Sequence, residues 1–193
     1  MQGKIEDVRS RRRKRRGGFS LVELLVVIAL VAGSGLAAAP LFSQWQARDR
    51  VDGAARALLA SLTLARSEAI ARGARVVVCP SDGGARCLPK GQRCTQGHAA
   101  WSCGWIVALE PERAGPLLRA HRPLRGVSIA ATGVAAEFTP PAGQIIGGFR
   151  RFEFATAGAG PTGANLASSR CIRVAAGGRA RLDRGGCDGR GRT

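Results

Sequence analysis

A run of 24 residues from Phe19 to Phe42 is broken only by Ser20, Glu23, Gly33, Ser34, Gly35 and Pro40. Wound as a helix it is roughly 36 Å long at 1.5 Å per residue, enough for a bilayer core of about 30 Å. The residues ahead of it carry Lys4, Arg9, Arg11, Arg12, Arg13, Lys14, Arg15 and Arg16 against Glu6 and Asp7. A basic flank before one apolar span, with a long chain behind, places the body of the protein outside the cytoplasm. Glu23 is the anomaly in this run, because an ionised carboxylate in an apolar segment costs several kcal/mol unless a cation meets it.

Beyond Pro40 the helical pattern persists. Val51, Ala55, Leu58, Leu62, Ala65 and Ala69 recur at steps of three and four, one apolar stripe. Arg48, Asp52 and Arg56 fall on another face at i, i+4 spacing, as a solvated ion-pair ladder would. Gly73 terminates the pattern. The spacing predicts one helix of about 50 residues, its first part (19–42) apolar enough for a membrane and its second (43–73) packed on a globular domain. Gly33-Ser34-Gly35 and Pro40 mark a point where such a helix is weakened.

From residue 74 the pattern becomes short β-like runs between Gly and Pro: Arg75–Cys79, Trp105–Leu109, Leu117–Ala120, Val127–Ala130, Val134–Phe138, Phe152–Ala155, Cys171–Val174 and Arg179–Leu182. Asp82–Gly97 and Pro140–Gly148 are Gly-rich and read as loops. The expectation is an α+β domain over 74–193, antiparallel sheet packed on the second half of the long helix.

The chain has 193 residues, 45% apolar and 22% charged, which excludes wholesale disorder, collagen and a multi-span membrane protein. Its net charge is +17. After residue 18 there remain 22 basic and 11 acidic side chains, so the body alone holds +11. A chain so cationic calls for an anionic partner, nucleic acid or a lipid surface.

All six cysteines, Cys79, Cys87, Cys94, Cys103, Cys171 and Cys187, follow the apolar run, and an even count in an exported domain reads as disulfides. Four cluster within 79–103 and two lie near the C-terminus, which favours Cys171 with Cys187 and two bridges inside the first cluster. Zinc, with His98 as an extra ligand, is the rival; no C-x-x-C pair supports it. Catalytic signatures are missing: only His98 and His121 are present, and G-x-S-x-G and H-E-x-x-H are absent. Gly158-Ala159-Gly160-Pro161-Thr162-Gly163 has the form of a dinucleotide loop, but the residues after it are too few for the helix that such a site needs. The chain is therefore expected to be no enzyme and to use no cofactor or metal.

The C-terminal residues 170–193 hold Arg170, Arg173, Arg179, Arg181, Arg184, Arg190 and Arg192 against Asp183 and Asp188. Residues two apart on a strand point to one side about 6.6 Å apart, which makes Arg179 and Arg181 a two-pronged comb for phosphate oxygens. Gly177 and Gly178 supply the turn before it, and a Cys171–Cys187 bridge would hold that turn. No aromatic residue interleaves with these arginines, so backbone contact without sequence preference is expected.

Two segments carry a resemblance. Gly17-Gly18-Phe19-Ser20-Leu21-Val22-Glu23-Leu24-Leu25 resembles the cleavage motif of type IV pilins and type II secretion pseudopilins. The resemblance implies that a prepilin peptidase cuts after Gly18, removing the leader 1–18, and that Phe19 is methylated. It also implies that Glu23 pairs with the N-terminal amine of a neighbouring subunit during assembly. Cys171-Ile172-Arg173-Val174 and Gly178-Arg179-Ala180-Arg181 resemble the end of the GspH/FimT family, the latter matching the G-R-x-R of FimT-like minor pilins that bind DNA in natural transformation. What this implies is a single-pass subunit of the bacterial inner membrane with its C-terminal domain in the periplasm. Its partners would be other pilins and double-stranded DNA. The alternative is a GspH-like pseudopilin of the type II secretion system that acts through protein contacts. A competing secretory signal, cut at Ala37-Ala38-Ala39, is opposed by Pro40 and by Glu23. Mass spectrometry of the native N-terminus is expected to find methylated Phe19; a chain beginning at Pro40 would contradict the pilin reading.

Overall fold

The structure, a computed structural model, describes residues 20–81, 83–92, 94, 100–110, 115–158 and 168–188, without the side chains of 35–41. The leader, Gly18, Phe19, His98, Arg190, Arg192 and most of the 158–163 loop lie outside the described residues. Helix α1 spans Leu21–Arg72. Ser20 caps it: its hydroxyl accepts the Glu23 amide at 3.1 Å and its carbonyl accepts the Leu24 amide at 3.1 Å. Glu23 thereby sits in the first turn, where a negative charge complements the helix dipole. The helix is continuous through Gly33, Ser34, Gly35 and Pro40, with the Ser34 hydroxyl donating back to the carbonyls of Leu30 and Val31.

Two compact units divide the chain, Met1–Phe42 and Ser43–Thr193. In the first, the described apolar side chains of the helix are exposed, Leu21 by 74% and Leu30 by 68%. Among the described residues no helix is long and apolar enough to cross a membrane. The expected span over 19–42 includes Phe19 and the side chains of 35–41, which lie outside the described residues.

In the second unit, Val51, Ala55, Leu58, Leu62, Ala65 and Ala69 are each fully buried, so the apolar stripe is the core face of the helix. Gly73, at φ +59°, ends it in the left-handed region that favours glycine. The strands are β1 (Val76–Pro80), β2 (Trp105–Leu109), β3 (Leu117–His121), β4 (Val127–Ala131), β5 (Ala136–Thr139), β6 (Gln144–Ile145), β7 (Arg150–Thr156), β8 (Arg170–Val174) and β9 (Ala180–Arg184). They form two antiparallel sheets, ordered β3-β2-β1-β5-β6 and β4-β7-β8-β9. Their inner faces and the helix stripe share one core: Val76, Val78, Trp105, Val107 and Phe138 from the first sheet, Ile129, Phe152, Phe154, Ile172 and Val174 from the second. The Trp105 indole donates to the Ser61 hydroxyl at 3.0 Å, so the fully buried Ser61 is paired. A 3-10 helix, Ala100–Cys103, bridges the sheets: its Ser102 hydroxyl accepts the Ile129 amide, and Trp101 meets Phe152 edge-on at 4.8 Å.

The bridges are Cys79–Cys87, Cys94–Cys103 and Cys171–Cys187, with no free cysteine left to ligate a metal. The first explains why β1 is buried on both faces. It folds the following loop over the outside of the first sheet, where Val77, Cys79, Ile106 and Ala108 form a second small core with Cys87 and Ala135.

β6 forms inside the 140–148 stretch that reads as loop, because Ile145 pairs with Phe138 and donates its amide to the carbonyl of Ala176 at 3.0 Å. That bond ties the first sheet to the turn between β8 and β9. The turn closes through Gly178, whose amide donates to Ala175 at 2.8 Å, and the Ala175 amide donates to Arg179 at 3.0 Å. Gly178 has φ +78°, and a Cβ there would collide with the carbonyl of Gly143. Gly178→Ala is therefore expected to destabilise the domain by at least about 2 kcal/mol, from left-handed strain and the backbone clash together. Thermal unfolding checks this; an unchanged melting temperature would contradict the docking of the turn.

Candidate functional site

The second sheet places the C-terminal arginines in two groups. On β8, Ile172 and Val174 face the core, and Cys171 and Arg173 face outward. On β9, Ile172 pairs with Leu182 and Arg173 with Arg181, so Arg181 and Asp183 share the outward face. Arg184, paired with Arg170, falls on the other side. Arg179 lies one residue ahead of β9 rather than within it, and alternation through the hairpin brings it to the side of Arg181. Both are exposed.

Arg170 and Arg173, expected to help the Arg179–Arg181 comb together with Arg184, Arg190 and Arg192, are held by partners within the domain. The Arg170 side chain, 16% exposed, donates Nε to Asp52 Oδ1 at 2.7 Å and a terminal nitrogen to the Ser169 carbonyl at 2.8 Å. Arg173 donates to Asp183 Oδ2 at 2.5 Å and to the carbonyl of Cys187 at 2.6 Å. The cause is the Cys171–Cys187 bridge, which lays residues 185–187 over the outer face of the sheet, where the Cys187 amide also donates to Glu153 at 3.4 Å. Arg170 and Arg173 thus each bridge two partners, and Arg184 points to the opposite side of the sheet from Arg181. Arg179 and Arg181 remain as the exposed pair, held by Gly178 on one side and the disulfide on the other.

Arg151 escaped the sequence reading. The β-like run in the sequence begins at Phe152, yet the strand begins at Arg150, and Arg151 stands directly opposite Arg173. No local signal marks it, because only the pairing of strands far apart in sequence puts it beside the hairpin. Arg150, its neighbour, points the other way and donates to the carbonyls of Ala135, Gly147 and Ile146.

Asp52 does more than take part in a solvated ladder. It accepts from Arg56 at 2.6 Å and from Arg170 at 2.7 Å, tying α1 to β8. The Arg56 hydrogen bond first, then Arg170, hold its carboxyl below the usual carboxylate range against the opposing pull of burial. A folded pKa below the unfolded value of about 3.9 gives stability that is present above that value and lost as pH falls through the folded pKa. Asp52→Asn is expected to cost about 1 kcal/mol at pH 7, and wild type and variant should converge at an acid pH below the folded pKa. Urea unfolding at the two pH values measures it; an equal gap at both would rule out the charge as its source.

The family model described as type II transport protein GspH matches residues 54–178. The prokaryotic N-terminal methylation motif matches residues 13–32. Among solved structures, the type IV minor pilin FimU of Pseudomonas aeruginosa (strain PAO1) is similar, with a TM-score of 0.52 and 20% identity over 70% of this chain and 90% of that one. A second crystal form of FimU gives a TM-score of 0.48 and 18% identity over 68% and 91%. At such identity the first likeness bears on the fold: a long helix followed by antiparallel sheet, as in type IV pilins. No curated protein matches. The GspH match runs from the buried part of α1 to Gly178, over more than half of the chain, and ends one residue before Arg179; by that match the chain belongs to the GspH family.

Proposed function

We propose that this protein is a minor pilin of a type IV filament that binds double-stranded DNA without sequence preference, for uptake in natural transformation. Leader cleavage after Gly18 would leave it anchored in the inner membrane with its β-rich domain in the periplasm. On assembly, Glu23 would meet the Phe19 amine of a neighbouring subunit, which answers the cost of its charge among apolar side chains. The methylation motif over 13–32 supports this processing.

The observation that carries the DNA reading is the exposure of Arg179 and Arg181 on a turn fixed at both ends, while Arg170 and Arg173 are held by internal partners. Guanidinium forks suit phosphate oxygens, and a rigid turn loses little entropy on binding. The hairpin 170–184 contains no aromatic residue, so the contact is with the backbone rather than stacked bases. The other reading, a pseudopilin of the type II secretion system acting through protein contacts, is favoured by the description of the matching family and by the end of that match at Gly178.

Titration of a labelled duplex of arbitrary sequence with the full chain in nonionic detergent, at several salt concentrations, separates the two. Neutralising two to four phosphates gives a slope of log K on log salt of about −2 to −4. Arg179→Gln with Arg181→Gln is expected to nearly abolish binding and flatten the slope by about two units, while Arg48→Gln with Arg56→Gln on α1 has little effect. Weak affinity suffices in a filament, where many subunits act together. Equal losses from the two pairs would mean diffuse charge, and no binding at low salt would favour the secretion pseudopilin.

A further inference from the structure

Register places three arginines in a row across the outward face of the second sheet: Arg151 on β7, Arg173 on β8 and Arg181 on β9, each directly opposite the next. The middle one is occupied by Asp183 and the Cys187 carbonyl. The outer two are exposed. With strands about 4.8 Å apart, Arg151 and Arg181 stand about 10 Å from each other across the sheet. Arg179 and Arg181 are separated by about 6.6 Å in the perpendicular direction, along the strand. The acidic residues of this face, Glu153 and Asp183, are engaged by the Cys187 amide and by Arg173. Among the described residues, Arg151, Arg179 and Arg181 are exposed cations that define two sides of a right angle on a stiff sheet, with the bonded Arg173 as spacer.

Resting on the DNA reading above, we infer that Arg151 is a third phosphate contact and that it selects a duplex over a single strand. A single strand offers one line of phosphates, which the Arg179–Arg181 edge can follow by itself. A duplex offers a second line across a groove about 6 to 12 Å wide, and the Arg151–Arg181 separation falls in that range. Arg151 can reach the second line because its strand is inside the sheet, flanked by β4 and β8, and its backbone is fixed by two bonds to Thr132. Binding by the full array engages both backbones and stays indifferent to sequence.

The test compares the full chain in nonionic detergent with Arg151→Gln, Arg151→Lys and the exposed off-face control Arg184→Gln, on one duplex and on its single strand. Arg151→Gln is expected to weaken duplex binding about five- to tenfold at 0.1 M salt and to flatten the salt slope by about 0.9, the share of one phosphate. It should leave the single strand unchanged. Arg151→Lys should retain most duplex binding, and Arg184→Gln should lose little. Full duplex affinity in Arg151→Gln, or equal losses on both nucleic acids, would overturn the inference while leaving the Arg179–Arg181 site standing. Loss in Arg151→Lys as large as in Arg151→Gln would mean a structural rather than a charge role and would also overturn it. No duplex binding by the wild-type chain would remove the DNA reading and this inference together.

Discussion

The buried stripe of α1 is the interaction on which the rest of this domain depends. Six apolar positions from Val51 to Ala69 are completely shielded, and three of them, Ala55, Ala65 and Ala69, are small enough to let β-strands come close to the helix axis. Leu58 and Leu62 fill the space between, and Trp105 closes over them with its one polar atom bonded to Ser61. Burying each large side chain of such a core contributes about 1.5–3 kcal/mol. Neither sheet has another buried element of comparable length to cover its inner face. A polar residue anywhere on the stripe would therefore strike both sheets together, through the core that they share.

From that core outward, covalent and backbone constraints decide which charges are available. The Cys171–Cys187 bridge draws residues 185–187 across the outer face of the second sheet, and their backbone groups capture Arg173 and Glu153. Asp52 captures Arg170 at the junction of helix and sheet. A strongly basic segment is thereby reduced to a few directed cations. This bears on selectivity: scattered surface arginines attract any polyanion, whereas a fixed set at known spacing favours a ligand with matching charge repeat. The loop of the Cys79–Cys87 bridge works differently. It shields apolar surface on the far side of the first sheet, which would otherwise be exposed beside Ile106 and Ala108.

Much of this was legible in the sequence where the determining signal is local. The stripe of α1 follows from 3.6-residue periodicity, and most strands fall within one or two residues of their β-like runs. The Gly178 turn follows from two glycines ahead of a β-like run. The Cys171–Cys187 pairing follows from the separation of the cysteines into two groups. What stayed hidden depends on contacts between distant segments. Asp52 and Arg170 are 118 positions apart, so nothing near either marks the pair that holds Arg170. The division into two sheets, the short β6 and the row that recruits Arg151 arise from strand order, which periodicity does not encode. Trp105 reads as a strand residue, but its partner Ser61 sits inside a helix 44 positions away.

The central claim is that the fold sorts its arginines, keeping Arg170 and Arg173 for itself and presenting Arg179 and Arg181. Arginine side-chain NMR reads this directly, by following each Nε–H resonance of the full chain in detergent as a short duplex is added. The account predicts shifts at Arg179 and Arg181, with Arg170 and Arg173 unmoved in their internal bonds. Shifts of equal size at all four, or shifts confined to Arg170 and Arg173, would contradict it.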